Sequence, residues 1–228
     1  MATAEITKAL SEAAAAEHTK ATQKARIICV IGGPAVGKGT HCTSLAQHFP
    51  PLIHLSIGAL LRAEATTSSA EDAAAIQGPM TSGGLVQTER VQAVLEKHLL
   101  KHIARGKHYF LLDGFPRSLD QARAFESRGW DVEAVLHFHA SEEVMRARML
   151  KRARDEHRTD DTVETHAKRL AEFDELLPAI IDYYGKSCVY KVDCDRDFDV
   201  VYQELPDLVK KIFLPQYDPA EWFAKNRS

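Results

Sequence analysis

The chain has 228 residues, 45% hydrophobic and 27% charged, with a net charge of -3 at pH 7. These proportions match a folded domain and exclude extensive disorder, and a chain this long can bury a core without disulfides or structural metal. The acidic balance, with a pI near 6.4, gives no whole-chain basis for binding nucleic acid, so no nucleic-acid partner is expected.

Residues 1–24 are Ala-rich and polar. They hold too little large apolar surface for a core and read as an N-terminal extension, either an appended helix or a mobile segment. From Arg26 the pattern changes. Ile27–Ile31 predicts a strand, 38–49 a helix and Leu52–Leu55 a second strand. Residues 65–84, rich in Ala, Ser, Thr and Gly, predict part of a small mobile insertion running over about 56–86. In 86–105, Val91, Val94, Leu95, Leu99, Leu100 and Ile103 fall at helical spacing. Strands at Tyr109–Leu112, Ala134–Phe138 and Val189–Val192 alternate with helices near 118–128, 141–155, 160–185 and 197–213. Short apolar strands separated by amphipathic helices predict an α/β fold, a parallel sheet covered on both faces. One domain is expected over 25–214, followed by a tail over 215–228 that carries Pro215, Pro219 and Trp222.

Cys29, Cys42, Cys188 and Cys194 are scattered and form no Cys-x-x-Cys pair, which points to reduced thiols and a cytoplasmic setting. No apolar run approaches the ~20 residues that span a bilayer, and the first residues lack the basic-then-apolar order of a secretory signal. No membrane partner is expected.

The strongest signal is Gly32-Gly33-Pro34-Ala35-Val36-Gly37-Lys38-Gly39-Thr40. It follows a predicted strand and opens a predicted helix, the context that a phosphate loop requires. Glycines allow backbone N–H groups to approach anionic oxygens, the helix N-terminus adds partial positive charge, and Lys38 adds a full one. The residue after Lys38 is Gly39, where many nucleotide hydrolases place a Mg²⁺-binding hydroxyl.

Four further blocks accompany the loop: His54 to Arg62; Met80 to Gly83 with Leu85 and Val86; Asp113-Gly114-Phe115-Pro116-Arg117 with Gln121; and Arg148, Arg152, Arg158 to Asp161 and Arg169. In order and spacing these resemble a nucleoside monophosphate kinase of the adenylate kinase family, from about Arg26 to Leu205. The resemblance implies a five-stranded parallel sheet flanked by helices, a monophosphate-binding insertion over about 56–86 and a lid over about 153–163. Only Ala153 to Glu156 separate Arg152 from His157, so the lid resembles the short, zinc-free kind. The implied reaction is Mg²⁺-dependent phosphoryl transfer from ATP to AMP, with a monomeric enzyme.

Residue by residue, Lys38, Arg117, Arg152, Arg158 and Arg169 would be catalytic. Ala35, Val36, Gly37, Lys38, Gly39, Thr40, Arg148 and Arg152 would bind ATP, with Arg148 stacked on its base. Ile57, Arg62, Leu85, Val86, Gly114, Arg117, Gln121, Arg158 and Arg169 would bind the acceptor. Asp113 would organise Mg²⁺ through water. The chemistry fits these residue types, because bringing two polyanions together demands positioning and positive charge rather than a nucleophilic side chain, and guanidinium binds phosphate bidentately.

Three positions depart from the family pattern: Ala35 replaces a loop glycine, Ile57 a Thr or Ala, and Ala59 an Asp. They leave two alternatives beside AMP phosphorylation: UMP or CMP as acceptor, or a catalytically weak homologue that binds nucleotides as a regulatory module.

Overall fold

The structure, a computed structural model, describes residues 17–156 and 162–213. Residues 17–24 are helical (α1). They lead into β1 (Arg26–Gly32), α2 (Lys38–His48), β2 (Leu52–Ser56), α3 (Ile57–Thr67), α4 (Ala70–Ser82), α5 (Thr88–Ile103) and β3 (Tyr109–Asp113). Then come α6 (Leu119–Glu126), β4 (Ala134–His139), α7 (Glu142–Glu156), α8 (Val163–Tyr184), β5 (Val189–Asp193) and α9 (Phe198–Phe213).

The strands form one parallel sheet in the order β2-β3-β1-β4-β5. β1 lies at its centre, and its side chains alternate between the two faces as strand geometry requires. Ile27, Cys29 and Ile31 join a core with residues of α3, α5, α6 and α8, whereas Ile28 and Val30 join a second core with residues of α2, α7 and α9. A strand buried on both sides has no polar face to show, which is why its sequence reads as a continuous apolar run. The chain fills the sheet to one side of β1 through β2 and β3, then crosses to the other side for β4 and β5. Ligands of open α/β sheets bind above the carboxyl ends of the strands where that direction reverses.

Residues 65–84, expected as part of a mobile insertion, are largely helical. α3 and α4 pack on the first core through Ile57, Leu61, Ala65 and Ile76. Ser69 caps α4, its Oγ accepting from Asp72 N at 3.2 Å, and the helix ends at Gly83 with φ of 80°.

α1 is docked on the domain. Ala21 and Thr22 are buried, and the His18 ring meets the fully buried Trp130 edge-on at 5.5 Å. His18 Nε2 also lies 2.9 Å from Arg128 O. Deleting residues 1–24 would uncover this apolar contact. A melting curve is expected to show Tm lower by about 3–6 °C, from about 1–2 kcal/mol of lost burial in a domain of this size. The KM for ATP should stay unchanged, because the contact is remote from the phosphate loop.

Candidate active site

The loop after β1 turns sharply. At Gly32, with φ of 154°, a Cβ would meet Phe138 O at 2.4 Å, so only glycine fits. Gly37, with φ of 110°, caps α2. Ala35 also takes a positive φ, 59°, so the position does demand the left-handed conformation that a family glycine would adopt freely. Alanine there costs about 1–2 kcal/mol of backbone strain. Val36 is fully buried, and Gly39 and Thr40 form the exposed first turn of α2. This loop holds Lys38, whose Nζ donates to Gly32 O at 2.7 Å and Gly33 O at 2.8 Å.

Four charged groups from distant parts of the chain converge here. Lys38 acts electrostatically on Asp113, Arg117 and Arg152. Burial, aided by the two arginines and opposed by Asp113, lowers the Lys38 ammonium to about 8. Asp113 ends β3 and is 7% exposed. Burial alone would raise its pKa, but the hydrogen bond from His54 and the charges of Lys38, His54 and Arg117 outweigh it and hold the carboxyl below its usual range. Three cations face one carboxylate, a cleft suited to anionic oxygens.

His54 was part of a recognised block but carried no expected role. Its Nε2 lies 3.2 Å from Asp113 Oδ2. Because an ionised carboxylate only accepts, Nε2 must carry a proton, and Nδ1 lies 3.4 Å from the Thr43 hydroxyl.

Beside the cations lies an apolar pocket. It is lined by Ile57, Leu61, Met80, Val86, Val91 and Gln121, with the backbone of Gly58, Gly84 and Gly114, and Arg117 at its rim. The empty space here is about 330 Å³, open mouth and adjoining solvent included. The structure thus brings together Ile57, Val86, Gly114, Arg117 and Gln121; Leu85 lies next to this wall but not in it. Gln121 is 2% exposed, and its Oε1 accepts the Arg117 N–H at 2.9 Å. Arg117 Nε donates to Gly114 O at 3.3 Å. Arg62 folds over Gly58, where a Cβ would meet its Nη1 at 3.6 Å.

The remaining arginines sit around the edge. Arg148 Nη1 donates to Val36 O at 3.0 Å, against the phosphate loop. Arg169 Nη2 donates to Met80 O at 2.7 Å and ties α8 to the α4 segment. Arg158, with residues 157–161 of the expected lid, lies outside the described residues, as do residues 1–16 and the tail from 214. Ala59 is exposed at the start of α3.

Two other constellations have ordinary roles. His137 is buried against Phe173, and burial, with His139 and Lys191 nearby, lowers its pKa to about 4. Asp195 accepts from Ser141 N and Oγ at 2.8 Å, while Arg196 pairs with Glu204 through both terminal nitrogens. Among the described residues, no group of three His, Cys, Asp or Glu side chains could hold a metal by itself, and no helix is long and apolar enough to cross a membrane.

A glycine-rich turn at the carboxyl end of a central parallel strand, with an ammonium curled inside it and arginines across the cleft, places the chain among phosphate-loop nucleotide kinases. Residues 30–189 match the adenylate kinase family. The chain is 40% identical over 189 residues to "Adenylate kinase 1" of Schistosoma mansoni, covering 82% of this chain and 94% of that one. It is 36% identical over 185 residues to "Uridylate kinase" of Saccharomyces cerevisiae, covering 81% and 90%, and 36% over 199 residues to "UMP-CMP kinase" of Lentinula edodes, covering 83% and 87%. The chain belongs to the adenylate kinase family. It is a nucleoside monophosphate kinase, a phosphotransferase.

Proposed function

We propose that the protein catalyses reversible, Mg²⁺-dependent phosphoryl transfer from ATP to AMP, giving two ADP. An oxygen of the AMP phosphate attacks the γ-phosphorus of ATP, the bond from that phosphorus to the β–γ bridging oxygen breaks, and the bridging oxygen leaves with ADP. Lys38 would meet the β and γ phosphates from inside the loop, exchanging its bonds to the Gly32 and Gly33 carbonyls for charged oxygens. Arg62 and Arg117 would grip the acceptor phosphate, Arg152, Arg158 and Arg169 would surround the transferring group, and Arg148 would stack on the ATP base. The ionised Asp113, fixed by His54, fits a Mg²⁺ ion that arrives on the phosphates and keeps its water shell, since Mg²⁺ sites use one or two carboxylates and several waters. The ion would supply neutralising charge on the phosphate oxygens. A cytoplasmic, monomeric enzyme completes this reading, with Cys29, Cys42 and Cys194 as buried free thiols.

The preference for AMP rests on Gln121. Its oxygen accepts the Arg117 N–H with one lone pair, which leaves a second lone pair and the amide N–H₂ for a base in the pocket. Adenine offers a ring-nitrogen acceptor beside its own amino group, as cytosine does, so it is the reach of the long glutamine amide to the larger purine edge that would favour AMP over CMP. Ile57 presents methyl groups where a hydroxyl would have added one hydrogen bond, worth about 0.5–1.5 kcal/mol net. That loss weakens AMP binding without reversing the preference. UMP or CMP is the second reading, favoured by the similarity to kinases named for those substrates.

Gln121→Asn tests the choice. The shorter amide cannot reach the Arg117 N–H and the base together, so the ratio of kcat/KM for AMP to that for CMP should fall by about tenfold, on the order of one hydrogen bond. An unchanged ratio would remove Gln121 from base selection.

A further inference from the structure

The apolar side of α5 carries one polar residue into the core. Val91, Val94, Leu95 and Leu99 are buried along this helix, and Gln92 is buried among them at 2% exposure. A buried amide is costly unless hydrogen-bonded, and here Nε2 donates to the main-chain oxygen of Gln121 at 2.9 Å. Gln121 is therefore held at three atoms. Its carbonyl is held by Gln92, its N–H donates to Ser118 Oγ at 3.2 Å, and its side-chain oxygen accepts from Arg117 N at 2.9 Å. Ser118 and Arg117 belong to the same turn as Gln121 and move with it. Gln92 alone of the three comes from another element, and its neighbour Val91 forms part of the pocket wall.

We propose that Gln92 is a specificity-positioning residue of the acceptor site. It fixes the first turn of α6 against α5, and so sets where the Gln121 amide stands relative to the apolar wall that a base would lie on. A leucine could fill the same core position at similar packing value, since a buried neutral hydrogen bond adds little net stability. What the amide adds is register. A sub-ångström slide of α6 along α5 would move the Gln121 amide relative to Val91 and Ile57 without opening the core. The proposal rests on the reading of Gln121 as the base-selecting residue.

A double-mutant cycle tests it on the full chain, with wild type, Gln92→Leu, Gln121→Ala and the double variant. For each, kcat/KM is measured with AMP and with CMP, together with the KM for ATP and Tm. Gln92→Leu is expected to lower the AMP-to-CMP ratio by about 3–10-fold, mainly through the KM for AMP, with the KM for ATP within about twofold of wild type. In the Gln121→Ala background the same change should move the ratio by less than about twofold, because coupled residues are non-additive. Loss of the effect on removal of Gln121 is not expected of a residue that only packs the core. Gln92→Met, of similar length, takes the place of Gln92→Leu if the latter does not fold. A ratio that falls with Gln121→Ala but is untouched by either Gln92 variant overturns this proposal alone, as does an equal shift in both backgrounds. A ratio untouched by Gln121→Ala overturns the base-selection reading and this proposal with it.

Discussion

Replacing Lys38 by alanine is expected to lower kcat by about 10²–10³, the usual cost of removing one preorganised group from developing negative charge. The fold should survive. Lys38 Nζ ties the start of α2 only to the carbonyls of Gly32, at the end of β1, and Gly33, while the loop's shape is also set by Gly32 against Phe138 and by the buried Val36. Steady-state rates with circular dichroism on the same sample check both halves. A variant that is folded and still turns over near the wild-type rate would show that the loop does not bear on the transferring group. Its ammonium is lowered to about 8 chiefly by burial, with Arg117 and Arg152 adding to the effect. Arriving phosphates would push that value back up, so lysine charge and phosphate binding reinforce each other.

Arg117→Ala is expected to reduce kcat/KM for the acceptor by about 10²–10³, because hydrogen bonds to charged groups are worth about 1.5–3 kcal/mol each and a guanidinium can make two. The KM for ATP should change far less. A finer consequence follows from geometry. In the proposed reading, base selection depends on the backbone N–H of Arg117, which Gln121 Oε1 accepts, and alanine keeps that N–H. The ratio of AMP to CMP should therefore hold while both rates fall. Initial rates across a matrix of ATP, AMP and CMP concentrations separate these effects, and an equal rise in the KM for ATP would contradict the assignment of Arg117 to the acceptor.

Much of this was legible from residue order, for a physical reason. Strands buried on both faces must be largely apolar, so β1, β3 and β4 stood out as short runs, while the partly exposed edge strands β2 and β5 kept enough apolar residues to be seen. Each structural strand continues past its predicted apolar end, to Gly32, Ser56, Asp113, His139 and Asp193. Four of those five are polar side chains. Hydropathy stops where the ladder reaches the functional edge of the sheet, though Ser56 and Asp113 still pair in register. The helices α3 and α4 were not legible. Gly58, Gly78 and Pro79 and the Ser and Thr residues weaken local helix preference, and what holds these helices is burial of Ile57, Leu61, Ala65 and Ile76 against the rest of the domain.

The phosphate loop declared itself because all its parts are contiguous. Contacts between elements did not. His54 meets Asp113 across 59 residues, Gln92 meets Gln121 across 29, and Arg169 meets Met80 across 89. The only sign of Gln92 was a polar residue on the core side of an otherwise apolar helix, one position from Val91 and three from Leu95. Ala35 was legible as a departure, and its φ of 59° places it in the left-handed region that favours glycine.

The central claim is that this cleft transfers a phosphoryl group to AMP in preference to pyrimidine monophosphates. Initial rates with saturating Mg²⁺–ATP and, in parallel, AMP, dAMP, GMP, UMP and CMP test it most directly. The reading of Gln121 predicts the highest kcat/KM for AMP, retained activity with dAMP, and lower values for UMP and CMP. A higher kcat/KM for UMP or CMP than for AMP would contradict it.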